Sequence, residues 1–209
     1  MKDIVVVGNG GFGKEVEWLI ERINQENKQW TFKGYIDKDV SQPNVIGDDD
    51  FVINSTEEIC VALAVGDPGL REKIYRSYKK NPKVSFPNLI DPSVLCSDRV
   101  SFGEGNIVCA GSILTVDITI GNCTIINLDC TIGHDAVIGD LVTVSPSVNV
   151  SGKTNIGSGS YLGTGMQIIE GLTIGEKAVI GAGAVVNRDI PANCTAVGIP
   201  AKVIKIREP

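Results

Sequence analysis

His134 is the only histidine among 209 residues, and it stands in the run Gly133-His134-Asp135. Imidazole accepts protons near neutral pH, and a carboxylate beside it can hold one ring tautomer. One histidine cannot build a zinc site that needs several imidazoles, so no metal is expected. No G-x-S-x-G elbow accompanies it, which disfavours a Ser-His-Asp hydrolase. A second element with chemical potential is Gly8-Asn9-Gly10-Gly11-Phe12-Gly13, a G-x-G-x-x-G run between an apolar strand and a helical pattern. Such a loop turns tightly and brings phosphate to backbone amides at a helix N-terminus. From composition alone His134 is either a base or an idle exposed ring. The loop is either a nucleotide site or a plain glycine-rich turn.

The element that must position His134 runs from Ile90 to Val186 and has a period of six. Stepping by six through Ile120, Ile126, Ile132, Ile138, Val144 and Val150 meets an apolar residue every time. Small residues such as Ser112, Cys130, Ala136 and Ala184 lie two places earlier, and glycine or asparagine often follows. A helix does not repeat at six, whereas six is three alternations of a strand. Three short strands with corners then close a coil of eighteen residues, the hexapeptide signature of a parallel β-helix. At ~4.8 Å per coil, a little over five coils stand roughly 25 Å tall. In this reading the glycines relieve strained corners, and Cys96 and Cys130 point inward. Irregular turn spacing, as in a β-sandwich, is absent.

Ahead of the prism, residues 3–7 read as a buried strand and Lys14 to about Asn24 as a helix. Strands follow over 32–36, ending at Asp37, and over 60–65, with a helix from about Gly69 to Lys80. Asp37 is placed to reach a ribose hydroxyl. Asp39, Asp48, Asp49 and Asp50 read as solvated loop charges. The prism leaves room for only half a doubly wound domain, enough for a mononucleotide and too little for a nicotinamide dinucleotide. The divisions are thus a nucleotide-binding βαβαβ domain at 1–86, a β-helix at 87–190 and a tail at 191–209. Lys202, Lys205 and Arg207 make the tail basic, either as a solvated end or as a phosphate contact.

A net charge of −6 argues against nucleic acid and anionic membrane. No apolar run suits a transmembrane helix, and MKDIVVVGNGG does not read as a signal peptide. Six cysteines without a CxxC pair read as reduced cytoplasmic thiols.

Coil arithmetic adds one relationship. Eighteen residues beyond His134, one coil up, is Gly152, so the ring lies beneath a residue with no side chain, where a backbone N–H is approachable.

The glycine loop, the prism, NLDCTIGHDAVIGD and the ending VGIPAKVIK together resemble the hexapeptide acyltransferases of the sialic acid O-acetyltransferase group. The nucleotide-linked amino-sugar N-acetyltransferases of bacterial glycan synthesis are their near relatives. The resemblance spans essentially the whole chain. It implies an α/β half-Rossmann domain followed by a left-handed parallel β-helix, with acetyl-CoA as co-substrate. It implies His134 as general base, Asp135 as its partner and the Gly152 amide on the thioester carbonyl. Further acetyl-CoA contacts fall on Thr143, Thr164, Gly181 and Ala182. Nucleotide-sugar contacts fall on Gly8, Asn9, Gly10, Gly11, Phe12, Gly13, Asp37 and Asn127. Phe12 stands where the loop often carries histidine, and Thr143 where some members have a second histidine. Both departures bear on the acceptor. The relatives also imply a homotrimer with sites between subunits.

The expectation is therefore acetyl transfer to the amine of a nucleotide-linked 4-amino-4,6-dideoxy sugar in the cytoplasm, for polysaccharide biosynthesis. The rivals are O-acetylation of sialic acid or a related sugar, and a non-catalytic nucleotide-binding module. An NAD-dependent oxidoreductase ranks last.

Overall fold

A computed structural model of the chain describes residues 1–207. The apolar run of β1 (Lys2–Val7) is buried from Ile4 onward. It pairs in parallel with β2 (Trp30–Ile36) on one side and β4 (Ile59–Leu63) on the other. With β3 (Val45–Gly47) and β5 (Val84–Ser85) the sheet order is β3-β2-β1-β4-β5, all parallel. The order reverses between β1 and β4, so a crevice opens at their carboxyl ends.

The helices of this unit are α1 (Gly11–Glu26), α2 (Asp49–Ile53) and α3 (Pro68–Tyr78). Three expectations are corrected here. α1 begins at Gly11, so Gly11, Phe12 and Gly13 form its first turn and Gly10 caps it. The acidic run is not loose loop: Asp48 caps α2 by accepting from the Asp50 amide, and Asp49 accepts from the Tyr78 hydroxyl at 2.6 Å. The sheet has five strands where three were expected; the three-residue β3 and the two-residue β5 are too short to show a period.

From Leu89 the chain winds through two-residue strands stacked on three flat faces. The first face holds Leu89–Ile90, Ile107–Val108, Ile125–Ile126, Thr143–Val144, Tyr161–Leu162 and Val179–Ile180. The second holds Leu95–Cys96 up to Val185–Val186, the third Ser101–Phe102 up to Thr173–Ile174. Every pairing within a face is parallel and joins residues eighteen apart, as in Ile113 with Thr131. The inward residues from Val108 to Val186 make one continuous core, shared with Cys130, Ala136, Ala178 and Ala184. This is the left-handed β-helix, and the apolar row fills it as its period requires.

The glycine row has a different cause from the one expected. Gly133 is not in a left-handed conformation; a Cβ there would come within 2.6 Å of the Gly152 nitrogen in the next coil. Glycine after the apolar residue therefore lets coils stack closely. The left-handed corner falls two residues later, on Asp117, Cys123, Asp129, Asp135, Leu141, Ser147 and Lys153, with φ between 51° and 60°. Cys96 is also corrected: it lies on the lowest coil of the second face, with no coil beneath, and is exposed. Five other cysteines are buried.

The unit before the prism docks on the first face. Leu19, Ile20 and Ile23 of α1 share a core with the outward side chains of Leu89, Ile107 and Ile125. Arg22 clamps the buried carboxylate of Asp91 with two bonds of 2.6 and 3.0 Å. At the upper end Cys194–Val197 pairs in parallel with Val179–Ile180 and then in antiparallel with Lys202–Ile206. The basic tail is thus a hairpin extending the first face; the last two residues of the expected 191–209 segment lie outside the described residues. No helix is long and apolar enough to cross a membrane among the described residues.

Candidate active site

His134 lies on the edge between the second and third faces, just past the strand Thr131–Ile132. Its ring stacks under Gly152, where a Cβ would meet Nε2 at 2.6 Å and Cε1 at 2.7 Å. The Asp135 carboxylate is 2.8 Å from Nδ1, which leaves Nε2 as the free nitrogen. Asp135 reaches sideways because its backbone is left-handed, φ 58°. The imidazole and the carboxylate are each about half exposed, 48% and 53%. The Gly152 amide N–H has no acceptor among the described residues. An imidazole, a carboxylate bonded to it and an unpaired backbone donor thus share one edge.

Thr164, Gly181 and Ala182 occupy another edge, between the first and second faces. They stack on one another: the Gly183 amide donates to the Thr164 carbonyl at 2.8 Å, and Ala182 is exposed. Asn127 opens a lower corner of that edge, its side-chain oxygen accepting from the Leu128 amide at 2.7 Å. Within one chain neither group meets His134. Thr143 lies on the first face and is 5% exposed. Its hydroxyl donates to the Gly66 carbonyl at 2.7 Å and accepts from Arg71 at 2.9 Å. The proton and one lone pair of that hydroxyl thus serve the joint between the units, and the structure puts Thr143 in a structural contact away from the edges that carry His134 and Ala182.

The glycine loop closes on itself. A Cβ at Gly13 would fall 2.0 Å from the Gly8 carbonyl, whereas Gly10 and Gly11 face open space. Phe12 packs partly buried against the α1 core. The Asn9 amide donates to Asp37 at 2.9 Å, so Asp37, just past the end of β2, fixes the loop. Beside it a cavity of about 390 Å³ opens at the sheet's crevice, lined by Gly8, Asp37, Lys38, Asp49, Val65, Leu70, Lys73, Ile74 and Tyr78 among others. Burial pushes the Tyr78 phenol up, and its bond to Asp49 adds to this, so it stays a donor. Sequence reasoning missed Lys38 and Lys73. Their signal was modest: Lys38 follows Asp37 directly, and Lys73 sits one turn into the helix after Gly66-Asp67-Pro68. Among the described residues no cluster of three or more His, Cys, Asp or Glu could hold a metal.

A hexapeptide prism with a single edge histidine, carrying a glycine-loop α/β unit on one face, defines a hexapeptide-repeat acyltransferase. The PglD N-terminal domain family matches residues 3–78. Several solved structures match nearly the whole chain. A variant of perosamine N-acetyltransferase from Caulobacter crescentus, in complex with CoA and GDP-perosamine, is 31% identical with a TM-score of 0.89, covering 98% of both chains. The acetyltransferase domain of PglB from Neisseria gonorrhoeae is 30% identical with a TM-score of 0.89, over 98% of this chain and 100% of that one. WeeI from Acinetobacter baumannii is 30% identical with a TM-score of 0.86, over 98% and 100%. No curated protein sequence matches the chain. The chain belongs to the hexapeptide-repeat acetyltransferases.

Proposed function

We propose that this chain transfers acetyl from acetyl-CoA to the amine of a nucleotide-linked 4-amino-4,6-dideoxy sugar. The observation that carries the reading is His134, oriented by Asp135 and pressed beneath Gly152. Its support is the cavity beside the glycine loop, together with relatives that bind CoA and GDP-perosamine or acetyl coenzyme A.

In this reading His134 Nε2 takes a proton from the attacking amine while the nitrogen adds to the thioester carbonyl. Asp135 holds Nδ1–H and stabilises the imidazolium. The Gly152 N–H donates to the carbonyl oxygen as it gains charge. Collapse expels CoA thiolate, which takes a proton back, and the amide remains. No covalent enzyme intermediate is required.

Thr164, Gly181 and Ala182 are assigned to acetyl-CoA, and Gly8 through Gly13, Asp37 and Asn127 to the nucleotide sugar. Because His134 and Ala182 lie on different edges of one prism, a complete site requires a neighbour. We assign a homotrimer with acetyl-CoA in the grooves between prisms. Exposed Val137 and Ile169, 43% and 48%, lie on prism surfaces outside the core. We assign the reaction to the cytoplasm and to polysaccharide biosynthesis.

A thiol-release assay of acetyl-CoA against a panel of nucleotide-linked amino sugars tests the activity, with His134→Ala lowering kcat by ~10²–10⁴. Release with sialic acid and none with amino sugars would favour O-acetylation. No thioester cleavage with any acceptor would leave a binding module.

A further inference from the structure

Arg71 is the largest fully buried side chain, 0% exposed, and no carboxylate bonds it. Its guanidinium donates only to neutral acceptors. Nη1 binds the Val65 carbonyl and Nε the Cys123 carbonyl at 2.9 Å. Nη2 binds the Leu141 carbonyl at 2.8 Å, the Val142 carbonyl at 3.2 Å and the Thr143 hydroxyl at 2.9 Å. Thr143 passes the contact on to the Gly66 carbonyl. Burial draws the guanidinium down to about 10, so it is charged at neutral pH.

Two bodies meet at this cation. Val65 and the α3 residues flanking Arg71 (Leu70, Lys73 and Ile74) form one wall of the nucleotide cavity. Cys123 and Leu141 are left-handed corners of adjacent coils, eighteen residues apart, and His134 lies on the chain between them. Asp67 acts on the guanidinium only through space; burying a charge with no bonded anion is expensive, and apolar packing would join two units at lower cost. A planar fork with five donors fixes distance and angle as apolar contact does not. Of the other ionic fasteners, Arg22 with Asp91 keeps one member partly exposed and Lys79 with Glu104 keeps both.

We propose that Arg71 is a positioning residue that fixes the nucleotide cavity relative to the prism, so that a sugar held by its nucleotide arrives with its amine in register. The proposal rests on the function given above. In this view the nucleotide acts as a handle whose binding energy orients the amine. Misplacing a bound reactant by about 1 Å costs ~10²-fold in rate.

The test compares kcat/KM for the nucleotide-linked amino sugar with kcat/KM for the same amino sugar without its nucleotide, in the parent and in Arg71→Lys. We expect nucleoside diphosphate affinity within about threefold of the parent by calorimetry. The free-sugar rate should be unchanged, while the ratio of the two kcat/KM values falls by ~10–100-fold, mostly in kcat. An unchanged ratio, or an equal loss with both acceptors, overturns the proposal and leaves Arg71 a fastener only. Should Arg71→Lys not fold, Thr143→Val removes one strut and carries the same test, with an expected loss of several-fold; an unchanged ratio there has the same meaning. A parent enzyme that transfers to neither acceptor refutes the proposed function and this role together. A parent that acetylates both equally refutes the handle, and Arg71's role with it, while leaving acetyl transfer intact.

Discussion

Gly152 caps the imidazole of His134 from one coil above, with room for hydrogen and no room for methyl: a Cβ would lie 2.6 Å from Nε2. All three nearest atoms belong to that ring, and the Gly152 backbone is outside the left-handed region. Alanine is therefore conformationally free at 152, and the half-exposed ring is the part that yields. We expect Gly152→Ala to melt no lower than the parent, since alanine can add about 0.4–1 kcal/mol through the unfolded chain. Its kcat should fall by ~10², the scale of a 1 Å displacement. A parental kcat would show that the ring does not work from this position.

Gly10 faces open space at the head of α1, so a larger side chain there meets ligand before it meets protein. Gly10→Val should abolish nucleotide-sugar binding and leave acetyl-CoA binding within about twofold. Calorimetry with each ligand decides the matter. Loss of both would indicate a collapsed unit, and retention of both would move the phosphate elsewhere.

Subunit sharing has its own signature. His134→Ala and Ala182→Trp damage different edges of the prism and should each be nearly inactive alone. Unfolding and refolding a 1:1 mixture should restore about one quarter of parental activity, because random assortment around a closed ring leaves that share of interfaces intact. No recovery, or a fully active monomer by light scattering, would count against the shared site.

The Asp91 carboxyl provides a pH test. Burial alone would raise it, but hydrogen bonds from Arg22 and Ser93 and the Arg22 charge outweigh burial and hold it below its ordinary value. The unfolded chain then takes up the proton first as pH drops. The stabilisation is complete above about pH 4 and is lost as pH falls further, through the depressed value. Asp91→Asn should cost about 1–3 kcal/mol in urea unfolding near neutrality, and the gap should narrow below pH 4. A gap independent of pH would mean that the carboxylate charge contributes nothing.

Much of this was legible because one residue class recurs at one interval. The inward row needed no structure, and the stacking of His134 under Gly152 followed from coil length alone. Short or conditional features were harder to see. β3 and α2 together span only Val45–Ile53, and their acidic residues look like loop until Asp48 is seen capping and Asp49 meeting Tyr78. The glycine row was visible while its cause was not, since close coil stacking and strained corners favour the same residue. Cys96 occupies a proper inward register, but the pattern does not announce that the lowest coil has no floor. Arg71 is the extreme case. It reads as an ordinary helix arginine, and its partners on the prism are three carbonyls and a hydroxyl 52 to 72 residues away.

The joint grips two adjacent coils, at Cys123 and Leu141, and the histidine lies on the stretch of chain that connects them. On the role proposed for Arg71, the distance from handle to chemistry is set locally, as on a ruler whose zero mark and working mark are cut in the same short segment. Whole coils of eighteen residues inserted above or below would lengthen the rod without moving either mark. Insertion between Cys123 and Leu141 would shift one against the other by a single graduation of ~4.8 Å. A lineage building on this frame can thus add groove length one whole coil at a time and leave the reach of its acceptor untouched.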